Sequence, residues 1–165
     1  MTAIHTRLAR LLVERRLKVV FAESCTAGLA SATLAKVPGI SNHHCGGMVV
    51  YRNETKQQYL GISARLLAQH DAVSERIARE MAQRILKLTP EADYAAAVTG
   101  HLGPNAPEGK DGLVYIAIAQ RAKRLECSIE SIRCSAADNR AMRQKKDSLA
   151  VLEQLAAKIE STAGR

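Results

Sequence analysis

The sequence predicts a three-layer α/β/α sandwich built around a mixed sheet. Two observations lead to this fold class: helical and strand patterns alternate over the first two thirds of the chain, and a hairpin pattern follows them. The 165 residues, with 47% apolar and 24% charged side chains, suit a compact protein and argue against disorder. We therefore expect a single α/β domain over residues 1–165.

The first elements alternate as helix, strand, helix and strand. Apolar residues at helical spacing predict a helix from Ile4 to Arg16, and the β-branched run from Lys18 to Ala22 predicts a strand. A turn of small polar residues then leads into a helix from Leu29 to Lys36, which Pro38-Gly39 ends. Gly47 to Tyr51 predicts the second strand.

The middle of the chain carries three predicted helix starts. Side-chain oxygens at these starts can accept hydrogen bonds from free backbone amides, and they belong to Asn53, Ser63 and Ser74. The third helix is the clearest of the chain, with an apolar face before Pro90 formed by Ile77, Met81, Ile85 and Leu88.

The last part of the chain predicts a strand, a long loop, a hairpin and a helix. The strand is Tyr94 to Thr99, and the many Gly and Pro residues from Gly100 to Gly112 predict a loop. Leu113 to Ala119 and Leu125 to Cys134 predict an antiparallel hairpin around the basic turn Arg121 to Arg124. The final helix carries an apolar set of Met142, Leu149, Leu152, Leu155 and Ile159, and residues 161–165 are expected to fray.

The charge balance favours small anionic partners over nucleic acid. Twenty-four basic and sixteen acidic side chains give a net charge of +8. Four Tyr, one Phe and no Trp offer few rings on which the bases of a single strand could stack. We expect a small anionic molecule as partner, no membrane, and nucleic acid only as a rival class; pairing into a homodimer stays open.

The sequence also predicts a cytoplasmic protein without a bound metal. No apolar stretch reaches the roughly 18 residues that a membrane span needs, and the charged opening segment does not look like a signal peptide. The cysteines form no C-x-x-C pair, which is typical of reduced thiols. Three adjacent residues, His43-His44-Cys45, do not converge easily on one ion, so a polar loop is the better interpretation.

Ser24, Tyr51 and Lys56 are the candidate reactive residues. Ser24 lies in a small-residue turn between a strand and a helix, where backbone amides can gather around an anion or an oxyanion. The same position also suits a simple helix cap by Ser24 or Thr26. Lys56 follows Tyr51 by five residues, and these three side chains make a hydrolytic site if burial keeps the lysine neutral. A solvated lysine is the alternative.

Several ordered motifs resemble one known family. Ala22 to Gly28 (AESCTAG) resembles the A-E-S-C-T-G-G motif of the CinA C-terminal domain family, and Tyr51 to Lys56 (YRNETK) is similar to its Y-S-N-E-A-K. The remaining similar segments follow in the family's order: Leu60-Gly61, Ala72 to Glu75 (AVSE), Thr99 to Pro104 (TGHLGP, for T-G-I-A-G-P) and Gly112 to Tyr115 (GLVY, for G-T-V-W). The similarity covers nearly the whole chain and implies the same α/β/α fold.

The chain departs from the family pattern at three places. Ala27 replaces a glycine, Gly46 stands where an arginine is usual, and Asn105-Ala106 replaces further glycines. All three are expected near the pocket. They leave open whether the substrate has changed or the reaction has been lost.

The resemblance implies a nicotinamide-nucleotide amidohydrolase that needs no cofactor or metal. Ser24 would attack the carboxamide carbon of nicotinamide mononucleotide, neutral Lys56 would accept its proton, and Tyr51 would relay that proton to the leaving ammonia. Water would then release nicotinate mononucleotide. Ser41 aligns with a second serine of the family, and the resemblance leaves open which serine is the nucleophile.

The resemblance also implies a set of binding residues. Amides of the turn and helix start after Ser24, around Thr26 and Gly28, would stabilise the oxyanion. Residues that would shape the nucleotide pocket are Thr99, Gly100 and Gly103. Arg140, Arg143 and Gln144 resemble a basic and amide pair of the family and would bind the phosphate. Two rival functions remain: a nucleotide-binding relative without catalysis, and a nucleic-acid-associated competence or damage protein.

Overall fold

The computed structural model describes residues 2–122 and 125–162, and within these ranges it contains six α-helices and five strands. The helices are α1 (Ile4–Glu14), α2 (Leu29–Leu34), α3 (Asn53–Leu60), α4 (Ala64–His70), α5 (Glu75–Leu88) and α6 (Arg140–Ser161). The strands are β1 (Val19–Glu23), β2 (His44–Val49), β3 (Tyr94–Gly100), β4 (Leu113–Gln120) and β5 (Glu126–Arg133).

The strands form one mixed sheet in the order β2-β1-β3-β4-β5. Strand β1 is parallel to both of its neighbours, whereas β4 is antiparallel to both β3 and β5. β1 lies between two strands that are parallel to it, so the loops after β1 and β3 meet at the carboxyl ends of these strands. This end of the sheet is where α/β proteins usually bind ligands.

The two faces of the sheet are covered by different helices, which confirms the predicted α/β/α sandwich. Helices α1, α2 and α6 pack on large strand side chains such as Phe21 and Ile116. Helices α3, α4 and α5 pack on the opposite face, where the strands present mainly alanine: Ala22, Ala95, Ala97, Ala117 and Ala119. Small side chains let a helix approach the sheet closely, which fits the central position of α5 against β3 and β4.

Strand β2 differs from the prediction because it begins at His44 and ends at Val49. The register between β1 and β2 shifts between Val19 and Phe21, as in a β-bulge. A Cβ on Gly47 would lie 2.7 Å from the carbonyl oxygen of Phe21, so glycine marks a close approach inside the strand and not its start.

The helix caps agree with the prediction at two of three places. Ser63 and Ser74 accept hydrogen bonds from the amides of Leu66 and Ile77. Asn53 is not a cap but the first helical residue, and Thr55 Oγ1 accepts from the preceding Arg52 amide at 3.2 Å instead.

The apolar face of α5 and the chain end also need correction. Leu88 was expected on the buried face, but at the last residue of α5 it is 54% exposed. The expected fraying from Ser161 is contradicted at Thr162, whose hydroxyl lies 2.9 Å from the Tyr94 hydroxyl. Residues 163–165, and residues 123 and 124 of the predicted basic turn, lie outside the described residues.

Candidate active site

A pocket opens at the edge of the sheet where β1 and β3 end. Ser24, Lys56 and Tyr51 line it on one side, and residues 99–106 together with Arg140 line the other. Its cavity volume is about 210 Å³, which is smaller than the ~300–1,000 Å³ common for sites that enclose a whole drug-sized ligand.

Ser24 and Lys56 are in direct contact at the base of this pocket. The Lys56 Nζ lies 3.1 Å from Ser24 Oγ, and both residues are buried. The same nitrogen donates to the carbonyl oxygens of Val50 at 2.9 Å and Tyr51 at 3.3 Å. Of the three side chains predicted to make a hydrolytic site together, the structure thus brings Ser24 and Lys56 into contact.

The surroundings of Lys56 make its neutral form more accessible than that of an ordinary lysine. Burial lowers the pKa of Lys56 from 10.5 to about 8, and the nearby Cys25 thiol offsets this only in part. Within residues 2–122 and 125–162, no carboxylate forms an ion pair with it. As an ammonium, Lys56 donates to Ser24 Oγ and to the two carbonyls. As a neutral amine it keeps two N–H groups for the carbonyls and offers one lone pair to the Ser24 hydroxyl, so the same three contacts suit both forms.

Glu23 shapes the turn that carries Ser24. Its carboxylate accepts from the Thr26 hydroxyl at 2.7 Å and from three backbone amides, those of Gly28 at 3.0 Å, Ala30 at 3.1 Å and Ser31 at 2.8 Å. A buried carboxylate with this many donors is well compensated. Glu23, and neither Ser24 nor Thr26, is thus the side chain that caps the start of α2.

This arrangement changes which amides can face a ligand. The hydroxyl of Thr26 and the amide of Gly28 were expected to bind substrate, but both donate to Glu23, and neither residue lines the pocket. The amide of Ser24 donates to the carbonyl of Val98. Among the described residues, the amides of Cys25 and Thr26 have no acceptor, so these two remain as candidate oxyanion donors.

Tyr51 reaches the pocket, but its hydroxyl does not contact the Ser24–Lys56 pair. The side chain is about half exposed, and its hydroxyl accepts from Arg140 Nη2 at 2.6 Å. Arg140 Nη1 donates to the carbonyl oxygen of Gly103. Arg140 therefore links two walls of the pocket, the start of the loop after β2 and the loop after β3.

The other predicted binding residues divide into pocket walls and supports. Thr99, Gly100 and Gly103 line the pocket, and the buried Thr99 hydroxyl donates to the carbonyl of Ala72 at 2.8 Å. Gln144 Nε2 donates to the carbonyl of Cys25 at 3.2 Å and so ties α6 to the turn after Ser24. Arg143 is buried and paired with Asp111 at 2.9 Å.

The structure does not bring Ser41 to this pocket. Ser41 is exposed and precedes β2, whereas Ser24 follows the parallel strand β1, so the two serines lie at opposite ends of the sheet. Of the three departures from the family pattern, only Asn105-Ala106 lines the pocket. Ala27 and Gly46 lie outside it, and both have left-handed backbone, with φ of +53° and +91°.

The described residues contain no cluster of His, Cys, Asp and Glu suited to a metal ion, and no helix among them is long and apolar enough to cross a membrane. His43 and His44 have different partners, the carbonyl of Leu17 and the hydroxyl of Ser31.

Sequence reasoning missed two residues of the site. Glu23 was read only as part of a motif, although a carboxylate directly before a turn and a short helix is a signal for capping. His101 was left unassigned, with a solvent-facing loop position preferred to a ligand contact, yet the residue lines the pocket. Nothing in its local sequence marks it, because its position depends on the pairing of β3 with β4.

The comparisons with known proteins agree with the expected family. The sequence matches the CinA C-terminal domain over residues 1–159. A CinA-like protein from Geobacter sulfurreducens is 42% identical over 134 residues, which cover 79% of this chain and 31% of that protein. A CinA-like protein from Leptospira borgpetersenii is 39% identical over 125 residues, covering 74% of this chain and 30% of that protein. The chain thus spans less than a third of these curated relatives.

Solved structures extend the likeness to the fold. A CinA superfamily protein from Klebsiella pneumoniae superposes with a TM-score of 0.88 at 30% identity and 96% coverage of both chains. A competence/damage inducible protein from Agrobacterium tumefaciens gives a TM-score of 0.84 at 30% identity, with coverage of 95% of this chain and 96% of that one. Since the family match runs over residues 1–159 and these structures share the fold, the chain belongs to the CinA C-terminal domain family.

Proposed function

We propose that this protein hydrolyses the carboxamide of nicotinamide mononucleotide to nicotinate mononucleotide and ammonia. The observation that carries the proposal is the buried contact of 3.1 Å between Ser24 Oγ and Lys56 Nζ, together with a Lys56 pKa lowered to about 8. A neutral amine next to a hydroxyl is the pairing that nucleophilic catalysis by serine requires.

In the first half of the reaction, Ser24 Oγ bonds to the carboxamide carbon while its proton moves to Lys56 Nζ. The negative oxygen that forms on the substrate is stabilised by the backbone amides of Cys25 and Thr26, which have no acceptor among the described residues. The Lys56 ammonium then returns a proton to the leaving nitrogen, the carbon–nitrogen bond breaks, and ammonia departs. Tyr51 relays this proton once the substrate has taken the place of Arg140 as the partner of the Tyr51 hydroxyl.

In the second half, water attacks the acyl group on Ser24. Lys56, neutral again after ammonia has left, takes a proton from the water. The ester bond to Ser24 Oγ breaks, Lys56 returns the proton to that oxygen, and nicotinate mononucleotide leaves. The same two side chains thus serve both halves of the reaction.

Arg140 is the residue that best suits the phosphate of the substrate. It lines the Ser24 pocket and also a neighbouring pocket beyond Gly103, whereas Arg143 is already paired with Asp111. Its guanidinium is exposed and contacts only a hydroxyl and a carbonyl, so phosphate would be its first anionic partner among the described residues.

The test is the release of ammonia from nicotinamide mononucleotide, measured without added metal and again with a chelator. We expect the same turnover in both conditions, a loss of several orders of magnitude in Ser24→Ala, and near-normal turnover in Ser41→Ala as the matched control at the far end of the sheet. A folded Ser24→Ala variant with near-normal activity would contradict the mechanism. Binding of the nucleotide without ammonia release would favour the non-catalytic alternative.

A further inference from the structure

His101 occupies a rigid position on the wall of the pocket. Its amide donates to the carbonyl of Leu113 at 2.9 Å, and its carbonyl accepts from the amide of Gly112 at 2.8 Å. The pairing of β3 with β4 therefore continues beyond Gly100 to include His101. Side chains alternate along a strand, so the imidazole lies on the same side as Thr99.

The imidazole ring has an unused polar atom. Its Nε2 is buried and has no hydrogen-bond partner among the described residues, while the residue lines the same pocket as Ser24 and Lys56. His44 offers a contrast, because its Nε2 lies 2.9 Å from the Ser31 hydroxyl and its Nδ1 accepts from the amide of Gly46. His44 is a satisfied structural histidine, and His101 is not.

The charged groups around His101 do not form an ion pair with it. Asp71 pairs with Lys110 at 2.7 Å, and Asp111 pairs with Arg143 at 2.9 Å. Burial lowers the pKa of His101, Lys110 lowers it further, and Asp71 and Asp111 offset this only in part. The ring is therefore neutral at pH 7, with one N–H and one lone pair.

We propose that His101 determines substrate specificity by hydrogen bonding to a ribose hydroxyl of the nucleotide. The inference rests on the proposed function, in which the carboxamide lies at Ser24 and the phosphate at Arg140. A hydroxyl both donates and accepts, so it fits a neutral imidazole in either tautomer. The family motif carries isoleucine at this position, so the hydrogen bond would be a property of this chain.

The experiment compares nicotinamide mononucleotide with its 2′-deoxy and 3′-deoxy analogues in the full chain. For the wild type, we expect kcat/KM to be about tenfold lower with one of the analogues than with the parent nucleotide, because that analogue lacks the hydroxyl that His101 binds. Most of this change should be in KM. His101→Ile should lose about the same factor with the parent nucleotide and show no further loss with that analogue. His70→Ile, a histidine that does not line the pocket, should discriminate as the wild type does.

Two results would overturn the inference. One is a wild type whose kcat/KM is the same for both analogues as for the parent nucleotide. The other is a His101→Ile variant that still distinguishes the parent nucleotide from the analogue by the same factor as the wild type. If the wild type releases no ammonia, the proposed function fails and binding decides the role of His101. The imidazole ¹⁵N signals of His101 should then shift when nicotinamide mononucleotide is added and shift less with one deoxy analogue. Unchanged signals would overturn the inference as well.

Discussion

Glu23 and Lys56 are buried ionisable residues on either side of Ser24. The surroundings of Glu23 supply hydrogen-bond donors for its charge, whereas those of Lys56 supply no counter-ion among the described residues. The Glu23 carboxylate accepts four hydrogen bonds from one hydroxyl and three amides. The Lys56 amine contacts two carbonyls and one hydroxyl, with no carboxylate among its contacts in the described residues.

The difference separates a structural charge from a reactive one. A buried charge that is fully hydrogen-bonded fixes the local conformation, whereas a buried charge without a counter-ion tends to lose its charge. Glu23 therefore holds the turn in shape, and Lys56 is available for proton transfer. Removing the Glu23 carboxylate should reduce stability, whereas removing the Lys56 amine should reduce activity.

The largest effect should follow the loss of the base. Lys56→Met and Lys56→Arg should both reduce kcat by about 10²–10⁴-fold, because methionine has no basic atom and an arginine guanidinium does not deprotonate. Steady-state ammonia release by the two variants measures this. In the wild type, activity should rise with pH as Lys56 loses its proton around its pKa of about 8.

Lys56→Arg distinguishes a base role of Lys56 from mere attraction of phosphate, which Lys56→Met does not. If Lys56 acts only by attracting phosphate, Lys56→Arg would keep most of its turnover, and the Ser24 mechanism would be left without its base. A pH profile without a rising limb near 8 in the wild type would point the same way.

A smaller but still large effect is expected on stability when Glu23 is changed. Glu23→Gln replaces one acceptor oxygen by an NH₂ group facing buried donors, so the free energy of unfolding should fall by about 2–3 kcal/mol. Urea denaturation at pH 7 measures it. Glu91→Gln is the control: Glu91 is 60% exposed and pairs with Lys18, so its loss should cost less than about 0.5 kcal/mol. Equal losses in both variants would remove the contrast.

Lys56 should have the opposite effect on stability. Its pKa is about 8 in the folded protein and 10.5 ordinarily, so between these values the unfolded chain binds more protons and stability rises with pH. Below pH 8 the charged lysine destabilises the fold in full. Lys56→Met should therefore raise the free energy of unfolding at pH 7 by about 1–2 kcal/mol, part of the gain being offset by two carbonyls left without a donor.

Urea denaturation at pH 7 and pH 9.5 tests this linkage. The advantage of Lys56→Met over the wild type should shrink at the higher pH, where the wild-type lysine is neutral. A constant advantage at both pH values would show that the charge of Lys56 is not the cause.

The smallest effect concerns the turn that Glu23 holds. Ala27 is exposed and has φ of +53°, a left-handed conformation that costs an alanine more than a glycine. Ala27→Gly should raise the free energy of unfolding by about 0.5–1 kcal/mol with little change in activity, as judged by urea denaturation and ammonia release. Gly28→Ala, at φ of +92°, should do the reverse; stabilisation by that change would contradict the account.

The sequence predicted the fold through features that are local. The apolar face of α5 and the caps Ser63 and Ser74 depend on residues a few positions apart, so periodicity reveals them. The start of β2 at His44 was missed because it depends on a bulge against β1. Tertiary pairing decided that boundary, and no local pattern records it.

The sequence predicted several residues of the site but not which hydrogen bonds join them. The Ser24–Lys56 pair was expected, and the two residues do meet. The sequence did not predict that Thr26 and Gly28 donate to Glu23. It also did not predict the contact between Tyr51 and Arg140, because no local pattern connects these residues. A hydrogen-bond donor identified in a sequence has many acceptors within reach, and only the assembled fold selects among them.

The alanine face of the sheet has a consequence for how this protein accepts mutation. Each of these alanines has 0% exposure beneath α5 or its neighbours, so any larger side chain there must displace a helix. On the opposite face, branched and aromatic residues can exchange volume with one another. Sequence variation during evolution should therefore be rare on the α5 side of the sheet and frequent, as paired compensating changes, on the α6 side.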